Sequence, residues 1–122
     1  MPKKIFKGNI EQLSKNNKFY RNVLYTNRKQ QLVIMSLLPL EEIGMEKHRH
    51  TSQFIRVEKG KGMANINGHR YLLKDGDSVV IPPGTWHNIV NTSKTRSLKL
   101  YTIYSPPEHP KNTRQKLKPE ND

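Results

Sequence analysis

Two short stretches hold the residues whose chemistry is most specific. In GDSVVIPPGTWHNIVN, residues 76–91, a glycine opens an apolar strand and Pro82-Pro83-Gly84 reverse the chain just before His87. Proline fixes φ and glycine can take the left-handed region, so the reversal is stiff and the imidazole after it has a set orientation. In MEKHRHTSQFIRVEKGKG, residues 45–62, Glu46, His48 and His50 alternate, and Gln53 follows at the head of a strand-like run. In an extended chain, alternate residues share a face, so all three side chains would point the same way. Imidazole and carboxylate are ordinary ligands for first-row divalent metals, and a preorganised imidazole suits that task. The chemistry to be positioned is therefore metal binding, with Glu46, His48, His50, Gln53 and His87 as its candidates.

The elements available to position these residues read as strands. Runs at 19–26, 31–38, 53–59, 62–67, 69–73, 78–82, 87–91 and 97–104 are rich in Val, Ile, Leu, Tyr and Phe and are separated by turn residues. Asn67-Gly68 between two of them signals a tight hairpin, because both residues tolerate positive φ. Evenly spaced short strands predict an all-β sandwich or barrel. Residues 9–16 predict one turn of helix. The chain divides into an N-terminal basic segment (1–18), a β domain (19–104) and a Pro-rich, charged tail (105–122) that has no apolar face.

The spacing Gly76-x5-Pro82-x-Gly84-x2-His87-x3-Asn91 resembles the second sequence motif of the cupin superfamily at every position. The resemblance points to the small single-domain cupins grouped as mannose-6-phosphate isomerase-like, and it covers roughly residues 30–104. It implies a single jelly-roll β-barrel with extended N- and C-terminal segments, pairing into a homodimer, and one divalent metal ion: iron, zinc, manganese or nickel. The first motif is matched in part. With Gly60 as its closing glycine, Gln53 stands where a glutamate is usual, and Glu46 and His48 take the two histidine positions. The ligand set so implied is Glu46, His48, Gln53 and His87. Without the neutral Gln53 it becomes two histidines and one carboxylate, which suits Fe(II) with open positions. The other set is His48, His50 and His87 supported by Glu46 or Gln53, a three-histidine site for zinc, iron, nickel or copper. Glutamine in place of glutamate makes the site one charge more positive and removes a general base. The resemblance implies a metal-dependent enzyme on a small oxygen-rich molecule, either isomerase- or epimerase-like or dioxygenase-like; the alternative is a non-catalytic cupin that binds a small molecule or metal. Tyr101, Tyr104 and Arg56 are the candidates for acid–base work, while His69, in the hairpin, and His109, in the tail, read as solvated.

The remaining composition sets bounds. No cysteine is present, which excludes disulfides and thiolate ligands. No apolar run approaches the roughly 20 residues of a membrane helix, and no secretory signal pattern opens the chain, so a cytoplasmic location is expected. Twenty-two Lys and Arg against 10 Asp and Glu give a net charge of +12. A third reading follows from that charge, a basic domain that binds nucleic acid or another polyanion through its termini. The charge is scattered, however, and neither a recognition helix nor an aromatic RNA-binding signature accompanies it.

Overall fold

A computed structural model describes residues 3–120. Its elements run α1 (Ile10–Asn16), β1 (Arg21–Thr26), β2 (Gln31–Leu37), β3 (Ser52–Lys59), β4 (Gly62–Ile66), β5 (His69–Leu73), β6 (Ser78–Ile81), β7 (His87–Asn91), β8 (Leu98–Ser105) and β9 (Arg114–Gln115). All pairings are antiparallel. A six-stranded sheet has the order β6-β3-β8-β2-β1-β9, and a three-stranded sheet has the order β5-β4-β7.

Period-two alternation explains how the sheets face each other. In β8, Leu98, Leu100, Thr102 and Tyr104 are buried while the residues between them face outward. Ile55 and Val57 of β3, Val33, Met35 and Leu37 of β2, and Ala64, Leu73, Ile81 and Ile89 complete one core between the sheets. Each fully buried aliphatic side chain contributes about 1.5–3 kcal/mol. β2 breaks the alternation, being buried almost throughout. Its outer face carries α1, and Lys99 there bonds Ser36 Oγ at 2.9 Å and the carbonyl of Asn17 after the helix. Asn9 caps α1 by accepting the Gln12 N–H at 3.0 Å. The hairpin at Asn67-Gly68 has the expected positive φ values of 50° and 80°.

The barrel does not close. Segment 38–51, between β2 and β3, reaches the free edge of β7 through isolated bridges only, Glu42 to Val90 and Glu46 to His87. Pro39 near its start lacks an N–H for a ladder, and the segment forms no continuous strand. The result is a jelly-roll sandwich with open edges, and the two bridges matter more to the site than closure would.

The tail docks rather than trailing away. β9 adds to the edge of β1, and Gln31, fully buried, fastens the segment before it. Gln31 Oε1 accepts the N–H groups of Glu108 (3.2 Å) and His109 (3.0 Å), and its Nε2 donates to the His109 carbonyl at 2.7 Å. All of this is backbone recognition by one amide, so the tail needed no apolar face to be held.

Candidate metal centre

Glu46, His48 and His87 meet at one end of the sandwich. The bridge is reciprocal: Glu46 N–H donates to the His87 carbonyl and His87 N–H to the Glu46 carbonyl, both at 2.9 Å. The stiff reversal at Pro82-Pro83-Gly84 is joined to the same segment, since Gly84 N–H donates to the His48 carbonyl at 2.8 Å. Gly84 sits at φ +75°, a conformation that an L side chain rarely adopts. The turn thus locks the backbone of both histidines into one frame.

The side chains are held from behind. His87 Nδ1 lies 2.9 Å from the Thr85 carbonyl, and His48 Nδ1 lies 2.8 Å from Glu108 Oε1. A carbonyl and a carboxylate only accept, so each neutral ring carries its proton on Nδ1 and presents a lone pair at Nε2. Those Nε2 atoms stand 3.3 Å (His48) and 3.5 Å (His87) from Glu46 Oε1. Neither makes a hydrogen bond there, and both are buried without a partner. The three donor atoms lie within 4.8 Å of one another. His87 is 2% exposed and His48 8%, whereas the Glu46 side chain is 30% exposed, so the cluster opens to solvent past the carboxylate. Three electron-rich atoms that converge within 4.8 Å suit a shared cation, either a proton or a metal. The donor set fits the divalent metals expected from the sequence.

Charge follows the same geometry. Burial favours a neutral Glu46, but the two imidazoles outweigh it and hold the carboxyl down to about 2. Burial likewise disfavours a charged His48, but Glu46 and Glu108 outweigh it and raise its pKa above the ordinary histidine value. Tyr104, buried and edge-on to the His48 ring at 5.6 Å, is raised by burial and by the charge of Glu46.

The other sequence candidates are sorted by strand parity and one bend. His50 is exposed, because the chain bends at Arg49-His50 instead of remaining extended, and the alternation that placed it beside Glu46 and His48 stops there. Gln53 points inward and is buried, with Nε2 on Thr102 Oγ1 at 3.0 Å and Oε1 without a partner. Tyr101 and Arg56 lie on the outer face of the large sheet, Tyr101 against Phe54 (6.0 Å) and Arg56 on Glu58 (2.8 Å). Asn91 is no ligand. Its amide donates to the carbonyls of Leu37, Leu38 and Arg96 and accepts the Ser93 N–H, so it clamps the ends of two strands. His69 is exposed as expected, but His109 is not solvated. Its ring packs edge-on against Tyr104 at 5.2 Å and its Nε2 is buried. Glu108 was missed because a carboxylate among prolines has no spacing signal. Its one mark is that it is the sole acid between residues 59 and 119 apart from Asp75 and Asp77.

Two of these groups set opposite pH limbs on the stability of the metal-free protein. Burial, aided by the Arg21 guanidinium, pushes His109 down to about 4, so its contribution is present above 6.5 and lost as pH falls from 6.5 to about 4. His48 is raised, so its contribution is present below 6.5 and lost as pH climbs through the higher folded value. The contribution of this pair to the thermal midpoint of metal-free protein is therefore expected to fall on both sides of pH 6.5. His109→Gln, at a ring of intermediate exposure whose Nε2 is buried, should flatten the acid limb by about 1–2 kcal/mol. An acid limb unchanged in that variant would refute the assignment.

Comparison with known proteins agrees with this architecture. The family described as "Cupin domain" matches residues 33–104. The chain is 45% identical over 109 residues to an uncharacterized protein of Acanthamoeba polyphaga mimivirus, covering 87% of this chain and 68% of that protein. It is 40% identical over 116 residues to the uncharacterized protein YrkC of Bacillus subtilis, covering 90% of this chain and 62% of that one. A shorter stretch of 48 residues is 38% identical to gentisate 1,2 dioxygenase 1 of Aquipseudomonas alcaligenes, which is 38% of this chain and 14% of that enzyme. A crystal structure of a Bacillus halodurans protein superposes with TM-score 0.90 at 39% identity, covering 93% of this chain and 89% of that one. No helix among the described residues is long and apolar enough to cross a membrane. A jelly-roll sandwich whose second motif delivers His87 to Glu46 and His48 places this chain in the cupin family.

Proposed function

We propose that the chain is a metal-dependent enzyme that activates dioxygen on a small, oxygen-rich molecule, with Glu46, His48 and His87 as the metal ligands. The observation that carries this reading is the convergence of two unpartnered Nε2 atoms and one carboxylate oxygen within 4.8 Å. Two histidines and one carboxylate are the donor set of non-haem Fe(II) oxygenases. When bound, the iron would supply open positions for dioxygen and for a substrate that chelates through adjacent oxygens. The stretch shared with a gentisate dioxygenase supports the same reading.

The protein's own residues supply orientation and charge. Glu108 and the Thr85 carbonyl fix the two ring tautomers, so that both lone pairs face the same point. Glu46 is the one charged ligand, leaving a divalent ion with net positive charge that attracts an anionic chelate. Lys47 and Trp86, chain neighbours of the ligating residues, are exposed and stack on each other at 5.0 Å.

The residues that the sequence offered for acid–base work do not favour isomerase-like chemistry. Sugar isomerisation needs a general base within reach of a carbon acid. Tyr101 and Arg56 face away, Tyr104 is buried with a raised pKa, and the Glu108 carboxylate is committed to His48. Protein loaded with Fe(II) is expected to consume oxygen with hydroxylated aromatic acids or 1,3-dicarbonyls, and zinc-loaded protein is not. Turnover of sugar phosphates by zinc- or manganese-loaded protein, with no oxygen uptake by the iron form, would sink this reading.

A further inference from the structure

The other end of the sandwich carries a second constellation, one with no role in the triad. β3 runs from the triad end to Lys59, and there the β3–β4 turn meets the β5–β6 turn and the β7–β8 loop. Between them lies a cavity of about 640 Å³ lined by Lys59, Lys61, Lys74 and Arg96. Among the described residues, none of these four cations has an ion-pair partner. The single acid on the wall is Asp75, whose Oδ1 already accepts the Gly60 N–H at 2.8 Å. A second cavity of about 430 Å³ shares Lys59 and Arg96 and adds Lys99.

The loops that present these charges are fixed. Gly60 sits at φ +116°, and a Cβ there would lie 3.0 Å from the Ser97 carbonyl, so the β3–β4 turn packs directly on the β7–β8 loop. Asn91 grips that loop through the Arg96 carbonyl at 2.8 Å and the Ser93 N–H at 2.9 Å. Ser93 Oγ accepts the N–H groups of Thr95 (3.2 Å) and Arg96 (3.0 Å), which leaves its hydroxyl proton to donate. The four exposed cations therefore rise from fixed backbone around the hollow. Of the four, Lys59 also reaches Lys99 of the second cavity, whose pKa is lowered by burial and then by Lys18 and Lys59.

We propose that this cavity binds a free oligophosphate, a run of two or three adjoining phosphates, at the end of the sandwich opposite the metal centre. Four unpaired cations with one committed carboxylate, and a donor hydroxyl at the rim, match a compact anion of high charge. The volume lies in the range of small-molecule sites. A nucleic acid fits less well. No aromatic side chain lines either cavity, so bases have nothing to stack on. The site is independent of the metal centre and stands or falls without it.

Inorganic tripolyphosphate, titrated calorimetrically into the full chain at about 0.15 M salt, tests this. Lys74→Gln/Arg96→Gln is expected to weaken binding about tenfold or more, because both charges sit on the wall of one cavity. Arg28→Gln/Lys29→Gln removes the same charge from the β1–β2 turn at the triad end and should change affinity by less than about twofold. In unsubstituted protein, amide shifts on titration should centre on Gly60, Lys61 and Ser97. The proposal is overturned if tripolyphosphate does not bind, if both double variants weaken it equally, if the shifts centre elsewhere, or if a single-stranded oligonucleotide of equal charge binds more tightly.

Discussion

Protein carrying His87→Ala is expected to lose its metal: affinity should fall by on the order of 100-fold or more, since loss of a mere outer partner of a ligand already costs about 10–100-fold. The imidazole is 2% exposed and aimed by the Thr85 carbonyl, so no solvent-borne group can take its place without rearrangement. His48→Ala and Glu46→Ala should act in the same direction, while His50→Ala, an exposed position beyond the bend, should leave metal content unchanged. Metal per chain in untagged protein, followed by competition with a chelator, reads all four. Folding can be separated from ligation. His87→Ala strips the Thr85 carbonyl of its partner at a cost of about 1–3 kcal/mol, and it removes a buried imidazole that helps hold the Glu46 carboxyl down, so the metal-free variant should unfold below metal-free parent protein. Its thermal midpoint without metal gives the folding cost separately from the metal content. Equal metal in parent, His87→Ala and His48→Ala would remove the centre altogether.

How far this site was legible in the sequence depended on whether backbone or side chain carried the signal. Gly76, Pro82, Gly84 and Asn91 advertise backbone geometry, and that geometry is general: a stiff turn hooked to His48, a clamp on two strand ends. His87 was legible because the turn dictates where it points. His50 was misplaced because alternation assumes an extended chain, and nothing in MEKHRH marks the bend after Arg49. Closure of the barrel was expected for a similar reason. Strand spacing counts elements but does not say that segment 38–51 would meet β7 through two bridges instead of a ladder. The tail was least legible. Its attachment runs through main-chain groups held by Gln31, and a buried glutamine at a strand start looks in sequence like any polar edge residue.

That tail carries the second large effect. Glu108→Leu is expected to weaken metal binding about 10–100-fold without touching a ligand. In the parent protein the carboxylate accepts a hydrogen bond from His48 Nδ1–H at 2.8 Å, which fixes the tautomer and adds negative charge behind the ring. Leucine leaves that N–H unpaired and frees the ring to present Nδ1 or turn away. Glu108→Gln keeps an oxygen to accept the N–H but not the charge, so its loss should be the smaller of the two. A purely structural role for the tail is distinguishable. Gln31 holds the backbone of Glu108 and His109, not the carboxylate, so the tail should stay docked in both variants, and Thr51 Oγ1 still has the Pro106 carbonyl at 3.1 Å. The discriminating readout is the His48 titration in metal-free protein. With Glu108 gone, one of the two carboxylates that offset burial is lost, and the pKa must fall from its raised position. Unchanged metal affinity together with an unchanged His48 titration would show that the tail merely covers this end of the sandwich.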